Sequence, residues 1–505
     1  MAGNNTKIVI KNLGMQIVQY CATFILGIVT SRIILLEYGS EINGLLSSIN
    51  QFISYINLVE LGLTSSAVYA LYQPLANKDI NLLNEVLSAT NLYYRKTGYV
   101  FSVLILVLCV SYPLFTNASV ITPFETAYLV LALGATGVIN YFISAKYRIL
   151  LIADQRQYVL AGIGVFSLVL NTCIVYIFGS VLHCHITTLR TICILTSLIP
   201  AIVITFYTRY LYKSIKFENK KVKADIIKNR YVVFVNEIAG NLHFGSPMVI
   251  LTFIVDLLEV SVYSVFNVVC NGISSLLNST IVPISATFGS LLAKKEYRLF
   301  QQIYSEFESV FYLMSAAIFA ISYKILLPFV LLYTQGVYDV NYNRPLFISL
   351  MVGNMFVCNL YSPQAILVRA TGFFKEIQPQ TLIQAACTIA LGIPLTYLWG
   401  INGVVVASIC ANTYRSVAMI LFFNNKVQGV NSKNTLLYIV ESVFVFLISI
   451  YLIDIIDNLS FLDCRKMMVW IMYSFRASVV SFGVAIAVLF VLHRKIIMSL
   501  INRFR

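Results

Sequence analysis

Apolar runs, each about as long as a membrane crossing, alternate along this chain with short polar breaks. A helix needs about 20 mostly apolar residues to span the hydrocarbon core of a bilayer. About fourteen segments qualify: 13–36, 43–70, 98–115, 126–147, 157–180, 186–211, 231–255, 260–290, 308–332, 345–369, 377–399, 401–423, 435–456 and 468–492. The seventh, eighth and tenth are the most polar of them. Backbone polar groups in lipid must be satisfied within the segment, so these runs predict helices. The expected fold class is an all-α polytopic membrane protein.

Composition supports that reading. The chain has 505 residues, 59% of them hydrophobic and 11% charged. A soluble domain is about 45–50% apolar and about 25% charged. The first apolar run is too long for a secretory signal and has no small-residue cleavage site, so it reads as a retained span. Most of the ten cysteines lie inside apolar runs without paired spacing, as small packing residues do. His183-Cys184-His185 is the one cluster of ligand types, and it lacks further ligands nearby. No metal or cofactor is expected. No phosphate-binding P-loop is present, so the chain is not by itself an ATP-driven pump.

The net charge of +14 would suggest nucleic acid in a soluble protein. Its distribution points elsewhere. With the N-terminus in the cytoplasm, the inner connections hold Lys7 and Lys11, Lys78 with Arg95 and Lys96, Lys146 with Arg148 and Arg156, Lys213 through Arg230, Lys294 with Lys295 and Arg298, Lys375, Lys426 with Lys433, and Arg494 to Arg505. The outer connections hold only Arg344, Arg465 and Lys466, and carry Glu37, Glu41, Glu125, Asp256 and Glu259. That asymmetry predicts both termini in the cytoplasm.

The chain also repeats itself faintly. A shift of 217 positions lays Lys11-Asn12 on Lys228-Asn229, Ser47 on Ser264, Asn50 on Asn267, Ser54 on Asn271 and Asn57 on Ser274. The shift covers six spans, an even number, so the copies run in the same direction through the membrane, a transporter layout. The expected organisation is an N-terminal lobe at 1–212 and a basic cytoplasmic linker at 213–230. A C-terminal lobe at 231–424 and two additional spans at 425–505 follow. The lobes would be pseudo-symmetric bundles of six helices.

Polar residues line one face of two equivalent spans: Asn50, Ser54, Asn57, Glu60 and Thr64 in the second, and Asn267, Asn271, Ser274 and Asn278 in the eighth. Such faces either glue helices together or line a wet cavity. Among the charges inside spans, Arg369 and Glu441 lie near cytoplasmic ends, and Arg190 and Arg476 within one or two turns of the outer face, where snorkelling accounts for them. Arg32 lies about a turn from that face. Lys324 and Arg415 fall near mid-span. Glu60 and Glu237 are deep enough to serve as coupling carboxylates, or to form salt bridges with Arg32 or Arg415. The cationic excess suits an anionic cargo, because arginine binds phosphate bidentately and keeps its charge. The Asn and Ser faces suit sugar hydroxyls.

Residues 31–79 carry a familiar wording: Arg32 closing the first span, a turn with Tyr38-Gly39 and Asn43-Gly44, then Glu60-Leu61-Gly62. This stretch, with AKYRILLIADQRQYV at 145–159 and the fourteen-span layout, resembles bacterial polysaccharide flippases of the multidrug/oligosaccharidyl-lipid/polysaccharide exporter superfamily. The specific wording is confined to about the first third of the chain. The resemblance implies two lobes alternating access to a cationic cavity. The cargo would be an undecaprenyl-pyrophosphate-linked oligosaccharide, for surface polysaccharides such as O-antigen or capsule. Its partners would be that anionic glycolipid, membrane lipid, and polymerase and glycosyltransferase enzymes, with no nucleic acid. It implies a bacterial cytoplasmic membrane. On position, Arg32, Arg415 and Lys324 would hold pyrophosphate, Glu60 or Glu237 would couple, and Asn50, Asn57, Asn267 and Asn271 would meet sugar. A drug or cation antiporter of the same superfamily would favour carboxylates instead, and a peptidoglycan-precursor flippase is barely separable on sequence. A membrane-bound polymerase or ligase would want a sizeable outer loop, and 333–344 and 457–467 are short, so an enzyme is not expected.

Overall fold

The computed structural model describes residues 2–60, 63–116, 118–213, 231–278, 281–460 and 466–494. Nearly all of the expected linker (214–230) lies outside the described residues, as do Leu61, Gly62, Arg465 and the stretch 495–505. Among the described residues every regular element is helical.

The chain divides into two units, residues 1–241 with 256–261, and residues 242–255 with 262–505. The first contains α1 (Ala2–Ile56), α2 (Leu63–Asn77), α3 (Ile80–Phe115), α4 (Pro123–Ile139), α5 (Ala145–Ala153), α6 (Gln157–Val175), α7 (Ile186–Cys193) and α8 (Leu195–Leu211). The boundary falls within α9 (Tyr231–Ile254), and the first turn of α10 (Leu257–Asn278) belongs to the first unit. The second unit continues with α11 (Ile281–Ala293), α12 (Tyr297–Tyr333), α13 (Pro345–Asn359), α14 (Ser362–Thr371), α15 (Gln378–Trp399), α16 (Ile401–Lys426), α17 (Ser432–Ser460) and α18 (Met467–Leu492).

Each of the fourteen apolar segments falls on one helix or on a consecutive pair. Twelve stretches of the described residues are long and apolar enough to cross a membrane. One of them, Ile10–Glu60, has 51 residues. At 1.5 Å per residue it is far longer than one crossing, and it breaks at Gly39, whose φ of 80° and ψ of 174° are not helical. It therefore holds the first apolar segment and the start of the second. The seventh segment is α9, with 24 residues. Outward faces carry large apolar side chains, with Val110 72%, Leu114 75% and Val491 78% exposed. Buried positions include many small hydroxyls, with Ser48, Ser309, Thr388, Ser449 and Ser481 at 0%. That inverted arrangement is what lipid as solvent selects, since small polar residues let helices approach and bond one another. The chain is a multi-pass membrane protein.

The shift of 217 positions carries helix boundaries onto one another. It moves the start of α3, Ile80, onto Tyr297, the start of α12, and the start of α5, Ala145, onto Ser362, the start of α14. It moves Ser40, just past the break in α1, onto Leu257, the start of α10. The short 3-10 turn Asn57–Glu60 interrupts the second segment before α2. Helices α17 and α18 follow the repeat and pack on α12 in the second unit.

Outside the membrane, local chemistry sets the ends. Thr122 and Glu125 exchange the two bonds of a capping box at the start of α4, with Glu125 N 3.3 Å from Thr122 Oγ1 and Thr122 N 2.8 Å from Glu125 Oε2. Asp79 caps α3 by accepting from the backbone N–H groups of Asn81 and Leu82, both at 3.0 Å.

Candidate functional site

The break in α1 builds a cavity. A φ of +80° is left-handed, a conformation that costs an L side chain roughly 1–2 kcal/mol and a glycine almost nothing. Tyr38, beside it, is anchored by donating its hydroxyl to the carbonyl of Cys184 at 2.7 Å. Five residues on, a Cβ at Gly44 would stand 1.8 Å from the carbonyl oxygen of Leu257. The first turn of α10 thus lies flush against the second arm of α1, within the first unit. The two glycines of the sequence signature therefore do different work: one allows the turn, the other the close approach.

Both arms of α1, with α6 and α7, enclose a cavity of about 220 Å³. The arm before Gly39 supplies Thr30 and Ser31, and the arm after it supplies Asn43, Ser47 and Asn50. Helix α6 adds Asn171 and Thr172, and α7 adds Arg190. Thr30 and Thr172 pin α1 to α6 through a 2.9 Å hydroxyl contact, and Asn43 Nδ2 donates to Ser261 Oγ at 2.8 Å. Arg190 sits in the last turn of its helix, where a cation is favoured. Its Nε is buried and has no hydrogen-bond partner among the described residues. Among the described residues no carboxylate lines this cavity. An unsatisfied guanidinium N–H among amide and hydroxyl groups is a receptive site for an anion. At about 30 Å³ per water the space suits a phosphate-sized group with some hydration.

The expected site residues fall in several places. Asn50 lines this cavity, whereas Arg32, one residue from Ser31, is partly buried and does not. Asn57 and Glu60 form a separate polar cluster in the same unit. Tyr141 donates to Asn57 Oδ1 at 3.1 Å, and Thr64 and Tyr94 donate to Glu60 Oε1 at 2.9 and 3.1 Å. The partners of Glu60 are thus neutral hydroxyls. Glu237 is exposed, and its backbone carbonyl accepts from Asn241 at 2.9 Å. Asn267 is partly buried and Asn271 exposed.

In the second unit the two mid-span cations are engaged locally. Lys324 pairs with Asp454 of α17. Arg415 is 5% exposed, donates Nη1 to the carbonyl of Ile377 at 3.2 Å, and stands 5.9 Å from the centroid of the Tyr361 ring. Its Nε is buried without a partner among the described residues, and Arg415 is not among the lining of the 280 Å³ cavity of the second unit. Around it runs a buried polar network: Gln384 donates to Asn412 and Asn412 to Asn354, each at 2.8 Å, while His243 Nδ1 lies 2.6 Å from Thr388 Oγ1. Arg476 pairs with Asp457. His183 contacts Glu37 at 3.2 Å and His185 contacts Glu125 at 3.5 Å. Among the described residues no group of three His, Cys, Asp or Glu could hold a metal ion.

Sequence reasoning assigned Arg190 to the outer headgroups, named Asn43 only as part of a turn, and passed over Asn171 and Thr172. Asn171 and Thr172 sit in an apolar run with no stripe to flag them. Only the pairing of α1 with α6, some 140 residues apart, brings them to Arg190.

No family model and no curated protein matches this sequence. Solved structures do match it. The lipid II flippase MurJ in an inward closed conformation matches with a TM-score of 0.70 and 15% identity, covering 95% of this chain and 100% of that one. An inward-facing multidrug resistance MATE family transporter of the MOP superfamily matches with a TM-score of 0.64 and 12% identity, over 81% of this chain and 95% of that one. A MOP superfamily transporter from Pyrococcus furiosus, described by a binding pocket of reverse polarity, gives 0.54 and 13%, over 84% and 94%. At these identities what is shared is the fold.

Proposed function

We propose that this chain is a flippase that moves an undecaprenyl-pyrophosphate-linked oligosaccharide across a bacterial cytoplasmic membrane by alternating access, for the assembly of surface polysaccharide. The observation that carries the reading is Arg190, a guanidinium whose buried Nε has no partner, set at a cavity lined by amides and hydroxyls and free of carboxylates. A pyrophosphate offers the acceptors that this group lacks, and the Asn and Ser side chains around it offer bonds to phosphate oxygen or to the first sugar. A cationic drug would meet repulsion there, which argues against an antiporter for cationic compounds. Alternating access is driven only if the cargo binds the two states differently, and an anion site in one unit supplies part of such a difference. No chemistry on the cargo is invoked, so the protein acts as a carrier and not an enzyme.

A second reading has a specific support. The match to the lipid II flippase MurJ runs over almost the entire length of both chains, and a peptidoglycan precursor presents the same lipid pyrophosphate. Proteoliposomes containing the full chain separate the readings. Undecaprenyl-pyrophosphate oligosaccharide, lipid II and a cationic dye are supplied in turn, and movement is read by access of an external glycosidase, lectin or quencher. Oligosaccharide movement that falls in Arg190→Ala is expected. Movement of lipid II alone would select the second reading, and transport of the dye alone would end both.

A further inference from the structure

The second unit contains a cavity of about 280 Å³ between the N-terminal third of α12 and the start of α17. Arg298, Gln301, Ser305, Glu308, Asn431 and Asn434 are among its lining residues. At its wall Glu308 is only 2% exposed. Three neutral donors converge on one of its oxygens: Thr435 Oγ1 at 2.7 Å, Gln364 Nε2 at 3.1 Å and Tyr304 OH at 3.2 Å all point at Oε1. The other oxygen, Oε2, accepts no hydrogen bond among the described residues, and the residue borders the cavity. Gln364, 0% exposed, likewise has an Oε1 without a partner. No cation pairs with Glu308 among the described residues.

A carboxylate buried this deeply needs a counter-charge or a proton. Its three bonds all come from neutral groups on one side, so the uncompensated charge faces the cavity. The same lining holds the amide side chains of Gln301 and Asn434, the Ser305 hydroxyl, and Asn431, whose Oδ1 also accepts from the Lys433 N–H at 3.0 Å; such oxygens are the ligand types of a hard cation. The charge count selects the valence. One carboxylate, tempered by Arg298 in the same lining, falls short of what divalent ions are usually given. The volume has room for roughly nine waters at about 30 Å³ each, so the ion keeps part of its hydration.

We propose that the Glu308 cavity is a binding site for a monovalent cation of the sodium class, with Glu308 Oε2 as its charged ligand. Glu308 also ties α12 to Gln364 of α14 and Thr435 of α17, so occupancy is linked to the packing of these three helices. The proposal does not depend on which cargo the protein carries. The titratable neighbours include Arg298, Tyr304 and Tyr312 on α12, and Tyr438 of α17, whose hydroxyl contacts Ser305 at 2.7 Å.

The test uses the purified full chain in detergent, with radioactive sodium as the probe and choline as the ionic control. One saturable site per chain is expected. Glu308→Gln, checked for monodispersity, should weaken binding by about tenfold or more, the loss of one charged ligand. Arg298→Ala, at an exposed position that the fold does not need, should instead tighten it severalfold by removing a like charge. A wild-type chain that binds no sodium saturably overturns the proposal, including the case in which only protons titrate the protein. So does a folded Glu308→Gln variant with unchanged affinity, or an Arg298→Ala variant whose affinity is unchanged or weaker.

Discussion

The two repeats use the same positions for opposite purposes. In the first unit Leu26, Asn171 and Arg190 border the cavity. Their equivalents in the second, at the 217-residue shift, are His243, Thr388 and Ala407. There His243 and Thr388 bond to each other across a buried contact of 2.6 Å, and Ala407 is 0% exposed. The first unit keeps an open cation where the second closes a neutral pair. The second unit in turn keeps an open carboxylate, Glu308, whose first-unit equivalent is Asn91. Duplication of a bundle thus preserves the helices while the polar interior diverges. Helix boundaries are held by long apolar runs and a few breaks, whereas a site needs only one or two changed side chains.

That contrast can be broken at its root by Gly44→Ala. The new Cβ would stand 1.8 Å from a backbone oxygen with no flexible end to move aside, so the variant should lose most of its folded yield, measured by fluorescence-detected gel filtration. By contrast Gly14, in open space, has nothing within 4 Å of its Cβ position and should accept alanine with little change. Next comes the cation itself. Arg190→Ala should lower transport of the lipid-linked oligosaccharide in proteoliposomes about tenfold to a hundredfold, the worth of charge-assisted bonds of about 1.5–3 kcal/mol, with Arg190→Lys intermediate because it lacks the fork. Equal transport by all three would erase the difference between the units. Thr435→Val removes one of three donors from Glu308 and should cost about 1–2 kcal/mol of stability, seen as a lower melting temperature. The smallest effect is expected at Lys324→Ala. Its partner Asp454 is 52% exposed, and pairs of that kind are worth about 0–1 kcal/mol, so transport should change less than about threefold. A full loss would return Lys324 to the cargo site.

Much of the fold was legible because lipid enforces it. Apolar length marked every helix, and six matched polar positions were enough to find a repeat whose register the helix boundaries share. The Asn50 stripe led to the cavity for the same reason: a polar face inside a span has to meet something. The partners of charged groups were not legible. Lys324 and Asp454 lie 130 residues apart, and Arg415 leans on a backbone carbonyl, which no side-chain pattern encodes. Arg190 stood near the end of a span, where the distance to the headgroups makes snorkelling the simplest reading. Glu308 is the first residue of its apolar segment and was not singled out, because two of its three donors come from 364 and 435.

The hydroxyl of Thr435 places the Glu308 site in time. Helix α17 lies beyond the duplicated part of the chain, so a carboxylate with all three of these donors cannot predate the joining of those last helices to the doubled ancestor. A descendant that shed them would inherit a charge short of one donor, and would have to recruit a replacement or surrender the acid.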